Sequence, residues 1–152
     1  MKSFYFILIV LLVSHTLHAQ ADDPISWSFH AEKSGNKIYI VHLSATIQPG
    51  WHIYAQQQPK DAIAQPTKID MSNNPLVLIK DKWKEAGKKE IQDLKTLDIA
   101  QFYYTGSVDF EQSVQLKANV QTNLTGAITY MACTDKMCLP VRTIRFNISL
   151  GK

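Results

Sequence analysis

Residues 108–117 alternate without a break. Val108, Phe110, Gln112, Val114 and Leu116 fall on one side, and Asp109, Glu111, Ser113, Gln115 and Lys117 on the other. Successive side chains of a strand point to opposite faces, so a period of two fits a half-buried strand and no helix. The same period returns at 37–47, where Tyr39, Val41, Leu43, Ala45 and Ile47 share a face, and at 141–150, where Ile144, Phe146, Ile148 and Leu150 do. Residues 25–31, 51–55, 67–71, 76–80 and 125–132 read as further strands, with turn signals at Gly35-Asn36, Gln48-Pro49-Gly50 and Ser72-Asn73-Asn74-Pro75. Residues 56–65 form a polar loop. Residues 82–100 carry neither period, and Gly87 interrupts any helix begun at Lys82, so irregular structure with a short strand near 89–91 is expected there. Seven to nine short strands separated by turns imply an all-β sandwich.

The first residues set the compartment. A basic start at Met1-Lys2, an apolar run at 4–13 and the small-residue frame Ala19-Gln20-Ala21 spell a secretory signal peptide over 1–21, leaving one domain at 22–152. The run is shorter than the roughly 20 residues of a membrane span, and no later segment is apolar enough to make one. The expected mature chain is exported and soluble. Losing Lys2 takes the formal charge from +3 to +2, too small to imply nucleic acid. Lysines 80, 82, 84, 88 and 89 cluster, but Asp81, Glu85 and Glu90 interleave them, the pattern of a solvated face.

Only two cysteines occur, Cys133 and Cys138. Outside the cytosol such a pair is expected to oxidise. Five extended steps span roughly 17 Å, whereas a disulfide needs Cα atoms within about 7 Å, so the chain must double back through Thr134-Asp135-Lys136-Met137. The strands on either side suit a hairpin with the bridge across its mouth. So short a loop yields only about 2 kcal/mol of chain-entropy stabilisation, against about 4–5 for a loop of a hundred residues. That favours redox chemistry over a structural staple without deciding between them. Asp135 and Lys136 are the charged groups of the loop. C-x4-C falls outside zinc-finger spacings, and His30, His42 and His52 are the only imidazoles past the leader, His42 fitting a surface or satisfied position on its strand; no metal is expected. A hydrolase lacks its G-x-S-x-G.

The pattern Thr129-Tyr130-x-x-Cys133-x-Asp135-x-x-Cys138-x-Pro140 resembles the active-site hairpin of the N-terminal periplasmic domain of the thiol:disulfide interchange protein DsbD. Pro49-Gly50-Trp51-His52-Ile53-Tyr54 is similar to an upstream segment of that family, and the similarity runs over residues 25–150. It implies an immunoglobulin-like sandwich whose cysteine pair shuttles electrons and needs no other cofactor. The implied donor is a thioredoxin-like protein or a DsbD-type membrane reductase. The implied acceptors are periplasmic thiol–disulfide proteins, including disulfide isomerases and cytochrome c maturation thioredoxins. Cys138 matches the cysteine that forms mixed disulfides, and Cys133 its resolving partner. A cap loop with an aromatic shield corresponds to Phe102-Tyr103-Tyr104, with Phe102 as the shield. Tyr54, His52, Tyr103, Tyr130, Asp135 and Pro140 match positions around the site. Three departures stand out. Four residues separate the cysteines where many relatives have five. Val141 replaces a second proline. The membrane and C-terminal thioredoxin-like domains have no counterpart, so a separate donor is expected. The competing expectation is an exported binding or structural sandwich with an inert bridge.

Overall fold

The computed structural model describes residues 23–151; the expected signal peptide lies outside the described residues. Ten strands occur among them: β1 (Ile25–Gly35), β2 (Ile38–Ile47), β3 (His52–Tyr54), β4 (Lys68–Met71), β5 (Val77–Ile79), β6 (Lys84–Leu94), β7 (Ile99–Leu116), β8 (Thr122–Tyr130), β9 (Ala132–Cys133) and β10 (Arg142–Leu150). The larger sheet runs β1-β2-β7-β3-β9, with β5 and β6 also paired to β7; the smaller runs β10-β8-β4. Every pairing is antiparallel.

The alternation read from sequence is the inward face of each sheet. Val41, Leu43, Val108, Phe110 and Val114 of the larger sheet are buried, as are Leu124, Ile128, Phe146, Ile148 and Leu150 of the smaller. Aromatic rings join the layers: Trp27 of β1 lies 5.3 Å from Tyr130 of β8, and Phe29 lies 5.8 Å from Phe146 of β10. Ring pairs at such spacing add about 0.5–1.5 kcal/mol each beyond their burial. A carboxylate fastens the beginning of the chain to the same place. Asp23 accepts the Tyr130 hydroxyl, the Arg142 guanidinium at 3.2 Å and the Ile25 amide at 3.1 Å. Tyr130 and Arg142 are register partners across β8 and β10, so the last rung before the cysteine hairpin is held from the side.

Residues 82–100 are strand at 89–91 as expected and depart from expectation on either side of it. They form an eleven-residue strand, β6, and the start of an eighteen-residue strand, β7, paired from Lys84↔Glu111 to Leu94↔Ile99. The reason is position. β6 pairs with β7 alone, so its other edge carries charge rather than an apolar stripe, a known protection of open edges against strand addition. Its lysines pair with nearby acids, Lys84 with Asp81 at 3.7 Å and Lys89 with Glu85 at 3.1 Å.

Within the smaller sheet, β4 and β10 crowd β8 at Gly126. An ideal Cβ there would lie 2.5 Å from the Asp70 carbonyl oxygen of β4 and collide with the Phe146 ring. Gly126→Ala is therefore expected to lower stability by about 1–3 kcal/mol through overpacking, read as a lower urea midpoint at unchanged slope. An unchanged midpoint would show that β4 and Phe146 yield freely.

Candidate functional site at the cysteine hairpin

The chain changes sheets just before the first cysteine. β8 ends at Tyr130, Met131 makes the crossing, and β9 pairs with β3 of the larger sheet through Ile53↔Ala132 and His52↔Cys133. The hairpin beyond is closed by two backbone hydrogen bonds, from Thr134 N–H to the Met137 carbonyl at 2.7 Å and from Leu139 N–H to the Ala132 carbonyl at 2.9 Å. Cys133 and Cys138 face each other between them as a non-hydrogen-bonded pair, the register that brings side chains closest in an antiparallel ladder. Their Cα atoms are 4.0 Å apart and the sulfurs are bonded. The Thr134 hydroxyl accepts the amides of Lys136 (3.2 Å) and Met137 (3.1 Å), a side-chain turn that closes the loop without glycine.

The two cysteines differ sharply in access. Cys133 is fully buried, whereas Cys138 is exposed together with Asp135, Lys136, Met137 and Pro140. Thiol–disulfide exchange requires a thiolate to reach one sulfur while the other leaves. Only the Cys138 side of the bridge is open to such an approach.

Register defines what surrounds Cys133. Pairing of Tyr54↔Tyr103 and His52↔Cys133, with His52 and Tyr54 two residues apart, puts Tyr103, Tyr54, His52 and Cys133 on one face. The His52 ring lies 4.9 Å from the Tyr103 ring and 5.2 Å edge-on from that of Tyr54, with Nε2 3.4 Å from the Tyr54 hydroxyl. Burial lowers the His52 pKa below the ordinary imidazole value, and the charge of Asp135 opposes this in part. Burial raises Tyr54. Tyr103 is raised by burial first, then by the charge and hydrogen bond of Glu90, with a smaller contribution from Asp135. Beside the buried sulfur stands a neutral imidazole, able to accept a proton, with two phenols kept protonated. Tyr130, one crossing away, is buried and held by Asp23 rather than turned to this cluster.

The aromatic triplet 102–104 is strand and not a loop, because β7 starts at Ile99. Neighbouring residues of a strand face opposite ways, so Tyr103 takes the cysteine face while Phe102 and Tyr104 take the other. Lys89 Nζ sits 5.8 Å from the Phe102 ring and 5.9 Å from that of Tyr104, tethered by Glu85, which also accepts the Tyr104 hydroxyl at 3.0 Å. Gln58 fixes the Phe102 backbone, donating to its carbonyl at 2.6 Å and accepting its amide at 2.9 Å. Sequence reasoning passed over Gln58 and Asp23, and it read Lys89 and Glu85 as a solvated face, whereas the Glu85 side chain is largely buried. Each is a polar residue in a polar stretch, and only strand pairing reveals its partner.

An all-β sandwich bearing a disulfide hairpin with one open and one buried cysteine is the class that fold and site define. The chain belongs to the family of the N-terminal domain of the thiol:disulfide interchange protein DsbD, whose model matches residues 20–150. Among solved structures it is similar to the N-terminal periplasmic domain of ScsB from Proteus mirabilis, with 16% identity, a TM-score of 0.50 and 84% of this chain covered. The chain spans 45% of that structure's length. It is also similar to the complex between the DsbD N-terminal and PilB N-terminal domains from Neisseria meningitidis, with 11% identity, a TM-score of 0.52, and coverage of 81% of this chain and 80% of that one. At such identities the likeness shows the fold, and that fold is immunoglobulin-like. No curated protein sequence matches the chain. No helix among the described residues is long and apolar enough to cross a membrane.

The depressed His52 pKa has a stability consequence. Between the folded value and the unfolded value of about 6.5, the unfolded chain holds a proton that the folded chain does not. The stability supplied by neutral His52 is thus present above about pH 6.5 and lost as pH falls through the folded value. Urea midpoints measured from neutral to mildly acid pH should fall more steeply in the wild type than in His52→Gln. Parallel profiles would refute the burial effect.

Proposed function

We propose that the protein is an exported thiol–disulfide electron carrier acting in the periplasm. The observation that carries this reading is the asymmetry of the bridge, with Cys138 exposed and Cys133 buried in register with His52, whose ring packs on Tyr54 and Tyr103. The thiolate of a reduced donor attacks Sγ of Cys138. The Sγ–Sγ bond breaks, and Cys133 leaves as a thiolate that takes up a proton from solvent; neutral His52 is the neighbouring group able to accept that proton when Cys133 next acts as a nucleophile. A second donor thiol then displaces Cys138, leaving the donor oxidised and this protein with two thiols. Two electrons have moved, accompanied by two protons. In the forward step Cys138 attacks an acceptor disulfide and Cys133 resolves the mixed species.

The donor is a thioredoxin-like protein or a DsbD-type membrane reductase, and the acceptors are exported proteins with disulfides, those of cytochrome c maturation among them. Family membership supports the chemistry, and the solved complex of a DsbD N-terminal domain with a second protein's domain supports a protein partner. Tyr103, on the face of Cys133, takes the shielding role that the resemblance gave to Phe102.

Two experiments test this. Cys133→Ser should accumulate mixed disulfides through Cys138 in the periplasm, and Cys138→Ser far fewer. Equilibration with a thiol redox buffer should give a potential above about −300 mV; a value well below it belongs to a structural bridge and would overturn the carrier in favour of an inert sandwich. For the shield, Tyr103→Ala is expected to speed alkylation of Cys133 relative to Cys138 severalfold in the reduced protein, with Phe102→Ala leaving the ratio unchanged. No response to Tyr103→Ala would remove the assignment.

A further inference from the structure

Away from the cysteines, the outward face of the larger sheet gathers the remaining histidines of the described chain with three acids. His30 of β1 pairs in register with His42 of β2, which pairs in turn with Glu111 of β7; Asp109 stands opposite Ser44. The imidazoles of His30 and His42 stack at 4.6 Å and 8°. Ligand atoms of His30, Glu32 and His42 lie within 4.8 Å of one another, and so do those of His42, Asp109 and Glu111.

His42 is the informative residue. Its Nδ1 sits 2.6 Å from Asp109 Oδ2, while Asp109 Oδ1 accepts the Ser44 hydroxyl at 2.8 Å. Both Asp109 oxygens are thereby engaged, and the carboxylate selects the tautomer with the proton on Nδ1. The lone pair is left on Nε2, which is buried without a hydrogen-bond partner. A carboxylate orienting one ring nitrogen while the other stays free is the arrangement that supports metal-ligating histidines. A buried polar atom without a partner costs free energy, and a cation bound at Nε2 removes that cost. Asp109 and Glu111 add negative potential behind it.

We infer that His42 Nε2, His30 and Glu32 form a surface site for a first-row divalent transition ion, with Asp109 orienting His42. Two imidazoles and a carboxylate suit Zn²⁺ or Cu²⁺ rather than Mg²⁺. Three protein ligands leave a position for water. Bonds of about 2.0–2.2 Å require the ligand atoms to draw closer than they stand. The two that must move, His30 and Glu32, have side chains 52% and 68% exposed. The expectation of no metal came from cysteine spacing and scattered histidines; strand pairing is what joins residues twelve positions apart.

The test is calorimetric titration of the tag-free protein, its disulfide closed so that no thiol competes, with Zn²⁺ and separately with Cu²⁺. One saturable site per chain is expected, and Mg²⁺ should not compete for it. Affinity should fall at least about tenfold in His30→Ala and His42→Gln, and about 10- to 100-fold in Asp109→Asn. His30 is exposed, so its variant should retain the fold. Absence of saturable binding, equal binding in His30→Ala, or competition by Mg²⁺ would overturn the site. None of these results depends on the thiol chemistry.

Discussion

β7 is the strand on which the larger sheet depends. Every backbone N–H and C=O along its eighteen residues must be paired or solvated, and four other strands do the pairing. β2 and then β3 occupy one edge, while β5 and β6 occupy the other. The change from β2 to β3 happens at a bend. Gly106 there has φ +67°, and Gly87 opposite lies so close that an added Cβ would stand 3.1 Å from the Ser107 carbonyl oxygen. Below the bend β7 faces the sandwich core. Above it, β7 carries Tyr103 and, through β3, the strand that holds Cys133. The site is an extension of the core sheet and inherits its rigidity.

Parts of this were legible in the sequence for physical reasons. Val108 to Leu116 and Tyr39 to Ile47 lie on strands with one apolar and one polar face, so their alternation survives in the residues themselves. Of β6 only the stretch at 89–91 was legible, because an edge strand laced with Lys84, Glu85, Lys88, Lys89 and Glu90 has no apolar stripe to betray its length. Around the site, the cysteines marked the hairpin, yet Tyr130-Met131-Ala132 reads the same whether the chain stays in one sheet or crosses to the other. Phe102-Tyr103-Tyr104 hid its orientation similarly. Three aromatics in a row show no period, and register alone decides which one turns to Cys133.

The bridge itself is not what closes the hairpin. The Thr134–Met137 and Ala132–Leu139 backbone bonds flank it on both sides, and the entropy gained by linking so short a loop is small, about 2 kcal/mol. The turn is also knotted by the Thr134 hydroxyl. A hairpin held in this way keeps its shape largely through its backbone. The surrounding side chains make the inner position dry and uncharged, with His52 neutral and the tyrosines protonated, while Asp135 and Lys136 keep the outer position wet.

The passage of the chain between sheets at Met131 has a mechanical corollary. The inner limb of the hairpin is riveted to β3 by the rungs at Ile53 and His52, whereas the outer limb is joined to the inner one by backbone bonds and to the core through the half-buried Leu139. Severing the covalent tie therefore leaves the inner sulfur buried on a paired strand and the outer one on the exposed turn. With backbone bonds on both sides of the bridge, a change of oxidation state would rewrite one covalent link and leave the outline of the segment as it stands.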